Sequence, residues 1–239
     1  MAFNVAIDGP AGAGKSTIAK IVAKEKSFIY VDTGAMYRAM AIYFIKQGIQ
    51  AEESEKISAA VDGADVTIEY VNGEQQVFLN GENVTPYLRT EEVGNMASAS
   101  SVNGDVRKKL VELQQKLATT TNVVMDGRDI GTCVLPNAQV KVYLTASVDV
   151  RARRRYKELI EKGQEADFEK IKKDIEERDY RDMNRDISPL RQAEDAVLVD
   201  SSDLTIEESA RAILELIDKR LESSLIGESS GPVEIIINE

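Results

Sequence analysis

The stretch Gly9-Pro10-Ala11-Gly12-Ala13-Gly14-Lys15-Ser16-Thr17 satisfies G-x-x-x-x-G-K-[ST] and has the composition of a phosphate cradle. Glycines at 9, 12 and 14 let backbone N–H groups approach phosphate oxygens with no side chain in the way, and a following helix would turn its positive end toward them. Pro10, Ala11 and Ala13 complete the loop, Lys15 supplies a point charge for the β- and γ-phosphates, and Thr17 offers a hydroxyl to a neighbouring phosphate. Ser16 offers its hydroxyl to Mg²⁺, so the expected ligand is a nucleoside triphosphate with its metal.

A second set of residues has the chemistry of an anion acceptor. Asp32-Thr33-Gly34-Ala35-Met36-Tyr37-Arg38 places Thr33, Tyr37 and Arg38 just after an apolar run, where Arg38 reads either as an anion contact or as a solvated helix charge. Asp126-Gly127-Arg128-Asp129-Ile130-Gly131 ends another apolar run. Asp126 is there a candidate for holding Mg²⁺, directly or through water, or else a turn or N-cap aspartate. Arg151, Arg154 and Arg155 share a helical face and are candidates to meet a phosphate chain, and Arg178, Arg181, Asp182 and Arg185 repeat the i, i+3, i+4, i+7 pattern. One aspartate cannot serve three arginines, so this face either binds an anion or is solvated beside Glu177 and Asp179.

The elements that must position these groups follow from periodicity. Phe3 to Ile7, Phe28 to Val31, Asn122 to Met125, Gln139 to Leu144 and Ala196 to Val199 read as buried strands alternating with helices, which predicts an open α/β parallel sheet. Val66 to Tyr70 and Gln75 to Leu79, around Asn72-Gly73, predict a hairpin inside an inserted β unit at about 61–89. It reads as an acceptor-side lobe or as a plain surface hairpin. Thr90 to Leu117, carrying Ser98 and Arg107, reads as helix, as do Ala35 to about Lys46 and Phe168 to Arg185. Gly163 closes the arginine-bearing helix, and the polar stretch Glu161 to Asp167 suits a lid tip within about 151–167. Thr205 to Glu208 is a capping box opening the last helix to about Leu221, where the core is expected to end. Residues 222–239, with an apolar Val233 to Ile237 run, form a tail of no assigned role.

Composition narrows the chemistry. At 239 residues one large α/β domain over 1–221 is expected. The balance of 30 Lys plus Arg against 41 Asp plus Glu, net −11, argues against nucleic-acid and anionic-membrane partners. A single cysteine, Cys133, excludes an internal disulfide framework and suits a reducing cytoplasm, and no apolar run reaches the ~18 residues of a membrane span, so a cytoplasmic protein is expected. A monomer is the expected state, although neither observation bears on it. The chain has no histidine, which excludes Ser-His-Asp hydrolysis and histidine-ligated zinc. Phosphoryl transfer needs neither, because alignment and charge neutralisation carry it.

Taken together, Ile7-Asp8-Gly9-Pro10, the Asp32 to Arg38 and Asp126 to Gly131 segments, Arg151 to Arg155 and Glu177-Arg178-Asp179-Tyr180-Arg181-Asp182 resemble bacterial cytidylate kinases. The likeness runs from Phe3 to about Leu221. It implies a P-loop kinase fold, a five-stranded parallel sheet flanked by helices, with a small β-containing acceptor-binding insert and a helical lid. The implied reaction moves the γ-phosphoryl group of Mg²⁺-ATP to CMP or dCMP. By the same likeness, Tyr37, Arg38, Arg128 and Arg178 hold the acceptor α-phosphate, and Asp182 contacts the ribose. Ser98, Arg107, Asp129 and Arg185 read cytosine, and Arg154 and Arg155 are lid residues reaching the transferring phosphates. Lys15, Arg128, Arg154, Arg155 and Arg178 then form the catalytic set.

Cytosine offers an exocyclic amine beside the N3 and O2 acceptors, which suits a carboxylate such as Asp129 next to an arginine. Uracil presents a carbonyl there, so a finite preference for cytosine is expected. Ser16 stands where some members of this family carry glycine, which favours direct metal contact. Other small-acceptor kinases, a slow nucleotide-hydrolysing switch and an inert binding domain are the competing readings. Asp129 and Arg185 speak against the first of these, and the arginines gathered for a second anion speak against the other two.

Overall fold

The computed structural model describes residues 2–226, so the apolar run Val233 to Ile237 lies outside the described residues. They divide into two compact units. The first comprises the chain through residue 30, 121–184 and 188 onward; the second comprises 31–120 and 185–187.

The first unit is built on a parallel sheet whose central strand, β1 (Asn4–Asp8), is buried over its last four residues. The five-stranded order is β2-β6-β1-β7-β8, with β2 Ile29–Asp32, β6 Val123–Gly127, β7 Val140–Thr145 and β8 Val197–Asp200. Strands covered on both faces must be apolar throughout, which is why Phe3 to Ile7 and Asn122 to Met125 read as continuous runs. Register aligns Asp8 with Gly127 on one side and with Tyr143 on the other, so β1 and β6 finish level while β7 runs two residues further, to Thr145 beside Asp200 of β8. Helices α1 (Lys15–Lys26) and α8 (Ile206–Ile226) pack together, and their Ile18, Val22, Ile213 and Ile217 join Ile7, Val124, Val142 and Leu144 in one core.

The capping box forms as expected: Thr205 N–H donates to Glu208 Oε2 at 2.8 Å and Glu208 N–H to Thr205 Oγ1 at 3.1 Å. The helix it opens continues to Ile226, beyond the expected Leu221. Helices α6 (Val148–Glu161) and α7 (Phe168–Asn184) pack on each other, and Gly163, at φ 71°, ends the first. Arg185 falls after α7 and in the other unit, so the four-residue helical face expected from Arg178 to Arg185 does not form.

The second unit contains α2 (Thr33–Lys46), the unanticipated short helix α3 (Ser54–Ala60), a three-stranded antiparallel sheet and two further helices. The sheet pairs β3 (Val66–Val71), β4 (Glu74–Leu79) and β5 (Glu82–Asn83). Asn72 and Gly73, both at positive φ, make the predicted hairpin turn. The single helix expected from Thr90 to Leu117 is instead two, α4 (Glu91–Ser100) and α5 (Gly104–Thr120). Asn103 is the cause: its Oδ1 accepts from Asp105 N–H at 3.0 Å and Val106 N–H at 3.2 Å, an N-cap in mid-run. Among the described residues no helix is long and apolar enough to cross a membrane.

Candidate active site

The phosphate loop leaves β1 through Gly9, where a Cβ would collide with the Leu144 carbonyl of β7. Only glycine lets the chain turn this close to the neighbouring strand. Gly14, at φ 89°, is the N-cap of α1, so the free N–H groups of that helix's first turn open onto the loop. Lys15 is buried, and its Nζ donates to the Pro10 carbonyl at 2.7 Å. Burial and the nearby Arg128 hold its ammonium well below the usual lysine range, with Arg178 adding to the effect and Asp126 and Asp182 opposing it. A buried ammonium crowded by two guanidinium groups suits an anion.

Ser16 Oγ donates to Asp126 Oδ2 at 3.0 Å, and Tyr30 Oη donates to Asp126 Oδ1 at 2.8 Å. The hydroxyl and the carboxylate are hard oxygen donors side by side, a set that fits Mg²⁺ carried on a nucleotide, for which one or two protein ligands suffice. Asp126 is the penultimate residue of β6, just after the apolar run that pointed to it; Tyr30, whose hydroxyl holds its carboxylate, was not anticipated. Thr17 is exposed at the start of α1.

Beyond β6, Arg128 Nε donates to Asp182 Oδ2 of α7 at 2.8 Å. Burial alone would lower the basicity of this guanidinium, but Asp182, Asp126 and Asp179 outweigh it and hold its pKa above the usual arginine value. Asp129 is buried, and the chain turns after it into a single π-helical turn over Ile130–Val134. The N–H groups of Ile130 and Gly131 donate to the two carboxylate oxygens of Asp8, each at 2.7 Å. Burial raises the Asp8 carboxyl to about 6, and Asp129 pushes the same way against those two hydrogen bonds and Lys15. Asp8 was missed at the sequence level, although the signal that singled out Asp126, an aspartate closing an apolar strand, applies to it equally.

The expectation that Arg151, Arg154 and Arg155 form one phosphate-facing group is not what the structure shows. Arg151 is buried and committed to protein: Nε donates to Ala146 O at 2.9 Å, one terminal nitrogen to Ala11 O at 2.9 Å and the other to Asp179 Oδ2 at 2.6 Å. It clamps the phosphate loop from behind, joining the loop to the end of β7 and to α7. Arg154 donates to the Ser201 carbonyl at 2.6 Å, and Arg155 is exposed beside Glu158 at 2.8 Å. Arg181 is exposed, whereas Arg178, half-buried, lies within electrostatic reach of Lys15.

In the second unit, the Asp32 carboxylate caps α2 by accepting from Ala35 N–H at 2.9 Å and pairs with Arg89 at 3.0 Å. The Gln75 side chain donates to Asp32 O and accepts from Asp32 N–H, a strand-like pairing made by an amide. Thr33, buried, starts α2; Tyr37 and Arg38 follow on its first turns. The Arg38 guanidinium folds back over Gly34, where a Cβ would lie 3.0 Å from it. Arg107 is buried on α5 with its guanidinium 5.6 Å from the Tyr37 ring centroid, and it donates to Ser101 O at 3.2 Å. The Ser98 hydroxyl oxygen is buried with no hydrogen-bond partner among the described residues. Arg185, also buried, belongs to this unit.

A family model described as cytidylate kinase matches residues 5–219. A cytidylate kinase of Caldicellulosiruptor saccharolyticus is 50% identical over 217 residues, covering 91% of this chain and 96% of that protein. One from Bacillus subtilis is 46% identical over 218 residues, covering 91% and 97%. Among solved structures, a gluconokinase from Sinorhizobium meliloti aligns over 95% of this chain and 98% of its own at 14% identity, with a TM-score of 0.49.

Proposed function

The chain belongs to the cytidylate kinase family and is a kinase, and from that premise we propose that it transfers the γ-phosphoryl group of ATP to the α-phosphate of CMP or dCMP, giving ADP and CDP or dCDP. The observation that carries this reading is that two arginines from outside the phosphate loop, Arg128 and Arg178, act on its buried lysine. A triphosphate loop needs its lysine and backbone N–H groups, yet Arg128 and Arg178 stand within electrostatic reach of that lysine without belonging to the loop. A second phosphate group would account for them.

In this mechanism the loop backbone and Lys15 hold the donor phosphates. Arg128 and Arg178, with Tyr37 and Arg38, hold the acceptor α-phosphate, whose oxygen is already ionised near neutral pH, so no general base is required. Asp182 serves the ribose while orienting Arg128 through their 2.8 Å hydrogen bond. Ser98, Arg107, Asp129 and Arg185 read cytosine, and the partnerless Ser98 hydroxyl supports that role. Ser16 and Asp126 would hold Mg²⁺, which when bound neutralises charge on the phosphate oxygens. Arg154 and Arg155 would have to leave Ser201 and Glu158 to reach the transferring group, which lid closure over 151–167 would provide. A single kinase domain over 1–221, acting as a cytoplasmic monomer, completes the reading.

The test is ATP-dependent ADP release with CMP, dCMP, UMP, AMP, GMP or no acceptor. Stimulation by CMP and dCMP well above UMP supports the proposal; turnover independent of acceptor refutes it.

A further inference from the structure

Asp8 does two things at once by position. It is the last residue of β1, immediately before Gly9 of the phosphate loop, and its side chain holds the first N–H groups of the turn that follows Arg128 and Asp129. These N–H groups begin a helical turn and have no partner within it, and Asp129 offers them no side-chain cap. The grip is two-pronged, one carboxylate oxygen to each N–H, so it fixes the direction of the peptide as well as its distance. Gly131 lies close against it: a Cβ there would reach contact with Asp8 Oδ2 at 3.4 Å and would press on Lys141 Cδ at 3.2 Å.

We infer that Asp8 is a positioning residue for the acceptor, a carboxylate that anchors the Arg128–Asp129 segment to the root of the phosphate loop and thereby sets where Asp129 meets the base. The inference rests on the proposed role of Asp129 in reading cytosine. Asp8 touches neither nucleotide; it acts through the backbone of 130 and 131. An isosteric Asn retains one acceptor oxygen and turns an amine toward the other N–H, so the segment keeps its fold but loses half of its anchor.

The experiment compares the protein with its Asp8→Asn variant, measuring kcat and KM for CMP and UMP at saturating ATP, ADP affinity by calorimetry, and Tm. The expected result is a fall in kcat/KM for CMP of about 10-fold or more, a narrowed CMP-to-UMP ratio, and ADP affinity within about two-fold of the parent. A purely structural cap would lower Tm and leave the CMP-to-UMP ratio where it was, and an unchanged ratio overturns the inference. Asp8→Ser, which adds no volume, is used if Asp8→Asn does not fold. Failure of both to fold also overturns it, because Asp8 would then be required for the fold itself. A parent enzyme that shows no preference for CMP over UMP defeats the reading of Asp129 first, and the inference with it; with a parent that prefers CMP, the ratio in the variant tests Asp8 alone.

Discussion

The hydroxyl of Ser16 and the carboxylate of Asp126 meet at 3.0 Å although 110 residues separate them in the chain. The contact exists because β1 and β6 are adjacent and parallel, so that the helix following one faces the end of the other. The second oxygen of Asp126 is held by Tyr30 at 2.8 Å, leaving the carboxylate no freedom to rotate.

Removing Asp126 should therefore weaken metal use more than nucleotide use. Asp126→Ala is expected to raise the Mg²⁺ concentration for half-maximal ADP release about 10- to 100-fold, and Tyr30→Phe to shift it in the same direction by less. Magnesium titration of both variants checks this, and an unchanged midpoint in Asp126→Ala refutes it.

Lys15 has its charge held down by burial and by Arg128 and Arg178. A bound polyphosphate acts on the ammonium with the opposite sign, so nucleotide binding should draw a proton onto the protein wherever Lys15 is part-deprotonated. Calorimetry of ADP binding in buffers of different ionisation enthalpy, repeated at rising pH, should show proton uptake that grows as Lys15 loses its proton and vanishes in Lys15→Met; uptake that is the same in both proteins at every pH refutes it. The same variant should lose about 10²-fold or more in turnover while its circular dichroism is unchanged.

Much of this arrangement was legible in the sequence, because strands buried on both faces advertise themselves and a phosphate loop needs particular residues in order. Gly9, Lys15, Ser16 and Asp126 could be placed from pattern alone. What pattern could not show is commitment. Arg151 has the same helical spacing as Arg154 and Arg155, but only the folded chain reveals that its guanidinium is taken up by Ala11, Ala146 and Asp179. Likewise the apolar periodicity of 90–117 continues through Asn103, whose capping side chain splits the helix without disturbing the period. Tyr30 and Gln75 act through partners far away in sequence, and one chain carries no local trace of such pairs; Asp8 stood visibly at the end of an apolar strand, but its partners Ile130 and Gly131 did not show.

Asp8 also predicts a pH dependence with a definite sign. Its carboxyl lies at about 6 in the fold against 3.8 as the ordinary value. A group raised on folding contributes stability that is present below its unfolded value and is lost as pH rises through the folded one. Relative to Asp8→Asn, which cannot titrate, the parent should thus gain stability on acidification from pH 7 toward 4, by up to about 3 kcal/mol. Urea unfolding of both proteins at several pH values gives the difference; a gap that stays constant or closes on acidification refutes it.

The buried pair of Arg151 and Asp179, at 2.6 Å, separates a stability role from a loop-setting role. Taking Arg151 away alone leaves Asp179 as an uncompensated charge, so Arg151→Met should cost about 3–5 kcal/mol. Pairing it with Asp179→Asn removes that charge, and the double variant should recover a substantial part of the loss in denaturant unfolding. Nucleotide affinity should not recover with it. The Ala11 carbonyl loses its donor in both variants, and that hydrogen bond fixes the peptide joining Ala11 to Gly12, whose N–H belongs to the phosphate cradle. Restored stability with ADP affinity still weakened is the expected outcome of the cycle; if affinity returns along with stability, Arg151 serves only to neutralise Asp179.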